Sequence, residues 1–297
     1  MFNHLPDGIV DAHHHLWGLT AVDYPWLRAV GERRIFGDPT PIQRDYLPGD
    51  FAVDWTGLPV VRSVHIQVGT AAGAELAETQ WLEQQCVATG LPTGIVAAAD
   101  LTAPELPARL AAQAGASGAL RGVRQIASRR ADEDGKAVSP TLLENARFLD
   151  GLRLLAEKSL SFDLQLTRPH LAAATPLVEQ VPTPRVALRH LGWPWDQSPV
   201  GLAAWRKDLR AFARLPNTAC NLSGFAMFDP QWTRDSLAPV EGVLAAFAPE
   251  RVMWGSNLPV DKLYRGYGET AEAVAGLVPR EHHAQVFAGA ARRFYRP

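Results

Sequence analysis

The run Ile9-Val10-Asp11-Ala12-His13-His14-His15-Leu16-Trp17 holds the residues of this chain best placed to do chemistry. Side chains alternate faces along an extended segment, so residues two apart share a face. The spacing predicts that His13 and His15 point together, with Asp11 on the same face and His14 opposed. Two imidazoles placed in that way can close on one metal ion or one substrate oxygen. Consecutive histidines are equally what a solvated polar run contains, so the pair gains meaning from what the rest of the chain sets beside it.

An irregular insert at about 17–50, rich in aromatics, Pro and Arg, follows the first strand and is too long for a simple connection. Beyond it, β-like runs at 60–68, 94–101, 119–126, 161–166, 185–191, 218–222 and 251–255 alternate with amphipathic stretches such as 74–89, 105–114 and 141–158. Eight strands separated by helices predict parallel βαβ units, and in this length a single α/β domain over 1–297, a closed (β/α)8 TIM barrel. An open doubly wound sheet is the alternative, but no Gly-rich phosphate fingerprint follows any strand.

A barrel places its chemistry at the carboxyl ends of the strands, all on one rim. The chain meets that demand repeatedly, with His65 and Gln67 late in the second strand, Arg124 and Gln125 in the fourth, Asp163 and Gln165 in the fifth, His190 at the end of the sixth, Asn221 in the seventh, and Ser256-Asn257 after the eighth. Any one of these also serves as a turn or cap residue, so the signal is collective.

The 297 residues carry 29 Lys+Arg against 31 Asp+Glu, and no block of like charge suggests a nucleic-acid surface. A small-molecule partner is expected, with neither nucleic acid nor membrane, and a homo-oligomer is left open. Cys86 and Cys220 are the only cysteines, too few for a disulfide framework and not in a Cys-x-x-Cys pair, as for buried thiols of a cytoplasmic protein. The first residues lack a signal peptide's basic stretch and apolar core, and no uncharged apolar run approaches a membrane span, so a soluble, cytoplasmic protein is expected.

Five segments in order bring a family into view: Asp11-Ala12-His13-His14-His15-Leu16-Trp17, Arg121-Gly122-Val123-Arg124, Leu188-Arg189-His190-Leu191-Gly192-Trp193-Pro194, Asn221-Leu222-Ser223-Gly224, and Met253-Trp254-Gly255-Ser256-Asn257-Leu258-Pro259-Val260-Asp261. Over nearly its whole length the chain resembles the amidohydrolase superfamily, in the branch of barrel enzymes related to sugar-lactone and pyrone-dicarboxylate lactonases. The resemblance implies that His13, His15 and His190 surround the reaction centre. It also implies an eighth-strand Asp as base, but this chain has Asn257 there, and an amide takes no proton from water near neutral pH. Asp261, four residues on, and Asp163 are the substitutes available. A fourth-strand Lys or fifth-strand His that bridges two metals in related enzymes is not evident, so no two-metal centre is expected.

The expected reaction is hydrolysis of a cyclic ester, a sugar-acid lactone, by water attack on the carbonyl. Two mechanisms stay open. His13, His15 and His190 could hold one Zn2+ or other divalent metal, lowering the pKa of a bound water to about 7. Alternatively no metal is needed, because a lactone is already an activated ester and histidines with Arg124 could hold its carbonyl oxygen. His65, Gln67, Arg124, Gln165, Asn257 and Trp193 are the candidate substrate contacts, with Arg124 either on substrate or paired with Asp163. Trp17, Trp26, Trp193 and Trp195 could stack on a sugar ring or simply pack the loops. Arg28, Arg33 and Arg34 either meet an acidic substrate or are solvated. His170 is expected to be structural, and His282 and His283 to lie on the surface. The rivals are a non-hydrolytic decarboxylase of the same superfamily and a catalytically disabled barrel that only binds a small molecule.

Overall fold

Eight short apolar runs pair in parallel in chain order: β1 (Ile9–His14), β2 (Val60–Ile66), β3 (Gly94–Ala98), β4 (Leu120–Ile126), β5 (Ser161–Gln165), β6 (Val186–Leu188), β7 (Thr218–Leu222) and β8 (Val252–Trp254). The computed structural model describes residues 5–127, 141–166, 168–233 and 235–297. Mostly buried, the strands draw on Val, Ile, Leu and Ala for many of their apolar positions, as a parallel sheet covered by helices requires. Val10, Ala12, Val64, Ile66, Val96, Ala187, Ala219 and Met253 pack together with Phe294 and Tyr295 of the last helix, Ala290–Tyr295, and form the inner core. A larger outer cluster lies between strands and helices, including Leu82 and Trp205 from the helices Glu75–Thr89 and Pro199–Ala213.

The predicted helix at 141–158 divides at Asn145, whose side chain accepts from the Arg147 N–H at 3.0 Å and caps the segment Ala146–Glu157. The predicted strand at 185–191 stops at Leu188. His190, Leu191, Gly192 and Trp193 have φ of 50°, 58°, 69° and 57°, a left-handed turn that no strand can continue. The insert contains the short helix Pro25–Arg28 and the helix Pro48–Asp54, and a backbone pair between Trp17 and Tyr46 ties its two ends together.

β8 and β1 close the barrel through hydrogen bonds made by the histidine run itself. Asn257 N–H donates to His13 O and His15 N–H to Leu258 O, both at 2.7 Å, and Ser256 N–H donates to Asp11 Oδ1 at 3.0 Å. The pairing of β1 with β2 corrects one expectation. Asp11 aligns with Ser63 and His14 with His65, so β1 advances three residues while β2 advances two. The extra residue is a bulge, which cancels the simple alternation and turns Asp11 outward with His14. His14 stacks on Phe51 at 4.1 Å, and Asp11 meets Tyr267 of the outer helix Tyr267–Ala275.

Among the described residues no helix is long and apolar enough to cross a membrane.

Candidate active site

The bulge leaves His13 and His15 converging at the carboxyl rim, their Nε2 atoms 3.3 Å apart. His15 Nδ1 lies 2.7 Å from Ile66 O, and a carbonyl only accepts, so this nitrogen carries the proton and Nε2 carries the lone pair. His190 enters from the left-handed turn after β6, its ring centroid 4.8 Å from that of His13. Its Nδ1 lies 3.0 Å from Ser223 Oγ, whose hydroxyl donates to Asn221 Oδ1. The Ser223 proton being committed, His190 Nδ1–H must be the donor, and its Nε2 is left with a lone pair as well. Gly224 is what lets this ring approach: it has φ 69°, and a Cβ there would strike the imidazole.

Burial drives all three imidazoles toward the neutral form. His15 is lowered to about 3, and His13 and His190 are held well below their ordinary value, with Arg124 and Arg189 adding to the effect. They are therefore unprotonated lone-pair donors at neutral pH.

His15 and His190 face a cavity of about 320 Å³, also lined by Gln67, Arg124, Gln165 and Asn257. Arg124 spans two strands, donating to Gln165 Oε1 at 2.8 Å and to Gln67 O. The insert supplies the outer wall with Trp17, Trp26, Arg34 and Phe36. Trp26 Nε1 donates to Val68 O at 3.0 Å, the Arg34 guanidinium lies 5.2 Å from the Trp26 ring, and the Tyr264 hydroxyl donates to Phe36 O at 2.7 Å. At the end of β8, Asn257 adopts φ 55°, which Asn tolerates better than most residues, and its side chain reaches His15.

Several expected site residues stand elsewhere. Asp163 is fully buried away from the cavity, ion-paired with Arg189 and accepting from the Tyr295 hydroxyl at 2.9 Å; Arg189 is thus its partner, in place of Arg124, and the carboxylate is committed. His65 is buried behind the wall, where Nδ1 accepts from Leu16 N–H at 3.1 Å and Nε2 lies 4.0 Å from Glu78. Trp193 packs edge-on behind His190 at 5.5 Å and does not line the cavity. Asp261 lies behind Asn257 and also does not reach the cavity. His283, expected on the surface, is buried with Nε2 on the Ala275 and Val278 carbonyls. Ser223 was legible only as part of a segment; its position two residues after Asn221, on the same strand-end face, is the signal for its role.

Two Nε2 atoms 3.3 Å apart match an edge of a tetrahedral site with metal–nitrogen bonds of about 2.0–2.1 Å. Among the described residues, however, no three His, Cys, Asp or Glu side chains are grouped to hold a metal ion. The expected His13–His15–His190 centre is therefore not assembled, and the donor set fits an edge of a metal site without completing it.

A parallel eight-stranded barrel with neutral imidazoles and an arginine converging on a cavity at its carboxyl rim defines the class of (β/α)8 barrel enzymes with a histidine-built reaction centre. The amidohydrolase family model matches residues 10–296, and the chain belongs to that family. It is 35% identical over 261 residues to the uncharacterized protein y4mH of Sinorhizobium fredii, covering 87% of each chain. It is 28% identical over 278 residues to an L-fucono-1,5-lactonase of Burkholderia multivorans, covering 89% of this chain and 86% of the relative. A crystal structure of an amidohydrolase from the same species with bound zinc superimposes with a TM-score of 0.81 at 26% identity, covering 97% of this chain and 99% of that one.

Proposed function

We propose that this protein is a lactonase, opening a cyclic ester of a sugar acid to the free hydroxy acid. The observation that carries the reading is that two neutral imidazoles with lone pairs on Nε2, His15 and His190, face one cavity beside the Arg124 guanidinium. The likeness to lactonases supports it.

In the proposed reaction, Arg124 holds the carbonyl oxygen and stabilises the negative charge that develops there as water adds. His190 Nε2 accepts a proton from that water while a new carbon–oxygen bond forms. The tetrahedral intermediate then collapses, the ring carbon–oxygen bond breaks, and the imidazolium returns its proton to the departing ring oxygen. Ser223 and Asn221 keep Nδ1 protonated, which fixes His190 in the tautomer able to begin the cycle. Trp26 offers an apolar face to the ring.

The test is acid release from a panel of sugar-acid and dicarboxylate lactones, with chelator-treated protein assayed with and without added zinc. Hydrolysis by the wild type, and loss of turnover by about three orders of magnitude in His190→Ala with the fold intact, is expected. Near-normal rates in that variant would overturn the assignment, and carbon dioxide release from carboxylated acids without lactone hydrolysis would favour decarboxylation. Activity that survives chelation would establish metal-independent catalysis; activity restored only by zinc would make the His13–His15 edge part of a metal site.

A further inference from the structure

Asn257 occupies the position where the family resemblance calls for a carboxylate, and its amide is held by two specific partners. Nδ2 donates to Asp261 Oδ1 at 2.9 Å and to Met227 Sδ at 3.4 Å. Both amide protons are thereby used, and Oδ1 is the amide atom left to the cavity that Asn257 lines. With Asp261 ionised, flipping the amide would set its oxygen against the Asp261 carboxyl oxygen, two acceptors within hydrogen-bond distance. Asp261 is itself held in place. It is almost fully buried, and the backbone N–H groups of Gly224, Phe225 and Ala226 face its carboxyl. Its own N–H donates to Asn257 O at 3.2 Å, so the two residues are joined through both backbone and side chain.

We infer that Asp261 is a positioning residue: it fixes the amide of Asn257 so that the carbonyl oxygen faces the cavity, where it accepts a hydrogen from the attacking water. The carboxyl group that the resemblance would place against the histidines sits one hydrogen bond further back in this chain, behind a neutral amide. Asn257 and His190 then form a pair of acceptors that aims the lone pair of the water at the lactone carbonyl. The inference rests on the proposed hydrolysis for its kinetic readout, but not for its structural one.

The decisive variant is Asp261→Asn. An amide at position 261 meets three backbone N–H donors on one side, so its oxygen turns to them and its NH2 turns to Asn257. Asn257 must then flip, presenting NH2 where the cavity held an acceptor. The expected result is a fall in kcat of about 100-fold with KM changed only a few-fold. The exchange Asn257→Asp with Asp261→Asn rebuilds a donor at 261 facing an acceptor at 257, and is expected to recover at least about tenfold of the lost kcat. Asn257→Asp alone sets two carboxyls against each other and is expected to stay impaired. A purely structural role for Asp261 would give a lower melting temperature in Asp261→Asn with unchanged kcat and no rescue by the exchange.

The second readout needs no turnover. Ring-nitrogen chemical shifts of His15, measured by 15N NMR in the wild type and in Asp261→Asn, report whether the neighbouring amide presents an acceptor or a donor. Unchanged His15 shifts would overturn the inference. Shifts that move in a protein that hydrolyses no lactone would uphold the positioning and remove the lactonase reading.

Discussion

His190 shows how one residue is set for its task by a short chain of partners. Ser223 accepts from its Nδ1 and passes the direction of the hydrogen bond to Asn221, which donates from Nδ2 to Met253 O at 3.2 Å. Removing the hydroxyl in Ser223→Ala frees the ring to exchange tautomers and leaves a buried N–H without its acceptor, a loss of about 1–3 kcal/mol. Turnover is expected to fall about 10–100-fold with KM little changed, checked by steady-state kinetics and by His190 ring-nitrogen shifts. His13, His15 and His190 could be found from the sequence because their positions at strand ends follow from strand alternation and chain order. Asp163, expected as a base, and His65, expected as a substrate contact, stand elsewhere, because strand position does not reveal which partner a buried group meets. Asp163 stands beside Arg189 in the interior and His65 beside Glu78 behind the wall, both contacts made across elements far apart in sequence.

At the scale of elements, the site depends on turns more than on strands. The left-handed turn from His190 to Trp193 delivers one imidazole, and Gly224 at the start of the turn after β7 makes room for it. A methyl group added by Gly224→Ala meets both an unfavourable φ and the His190 ring. Loss of most turnover is expected, with a melting temperature lowered by several degrees, seen by comparing kinetics with thermal unfolding. The insert forms the outer wall of the cavity. Its turn at Arg34–Gly37 is closed by reciprocal backbone hydrogen bonds of 2.7 and 2.8 Å and anchored by Tyr264 on Phe36 O. Tyr264→Phe removes only that anchor, so KM is expected to rise a few-fold with kcat nearly unchanged, the reverse of the Ser223→Ala pattern. The alternation of strands and helices was legible because it is written in local periodicity. The bulge in β1 was not, because one additional residue leaves no mark on the apolar pattern yet reverses the face of Asp11.

The whole molecule keeps an unusual number of ionisable groups away from water, and their balance sets its response to pH. His13, His14, His15, His65 and His190 are all lowered by burial from an ordinary value of 6.5. The unfolded chain takes up protons below pH 6.5 that the fold refuses, so this contribution to stability is present above 6.5 and is lost as pH falls. Asp11, raised to about 6, and Glu78 and Asp261, each raised to about 7, act in the opposite sense, weakening the fold as pH rises from the ordinary carboxylate range toward those values. Five groups outweigh three, so the melting temperature is expected to fall between pH 7 and 5. His14→Phe, which keeps the stack on Phe51, should flatten that slope without touching the cavity; an unchanged slope would show that His14 takes no part in it. Asp11 also serves the barrel closure, since its Oδ1 accepts from both His13 N–H and Ser256 N–H at 3.0 Å. Asp11→Ala strands two buried donors, and denaturant titration is expected to show a loss of about 2–5 kcal/mol.

That closure joins a segment near residue 13 to one near residue 257. During translation the histidine run leaves the ribosome well before its hydrogen-bonding partners are made, since Asp11 and Ser256 stand 245 residues apart. A nascent chain paused before β8 therefore already contains His13, His15 and His190, yet has neither a seam to seat the pair nor Asn257 to face it. Catalytic competence thus arrives as a single late event, and the appearance of activity in a timed synthesis would serve as a clock for the docking of the final strand.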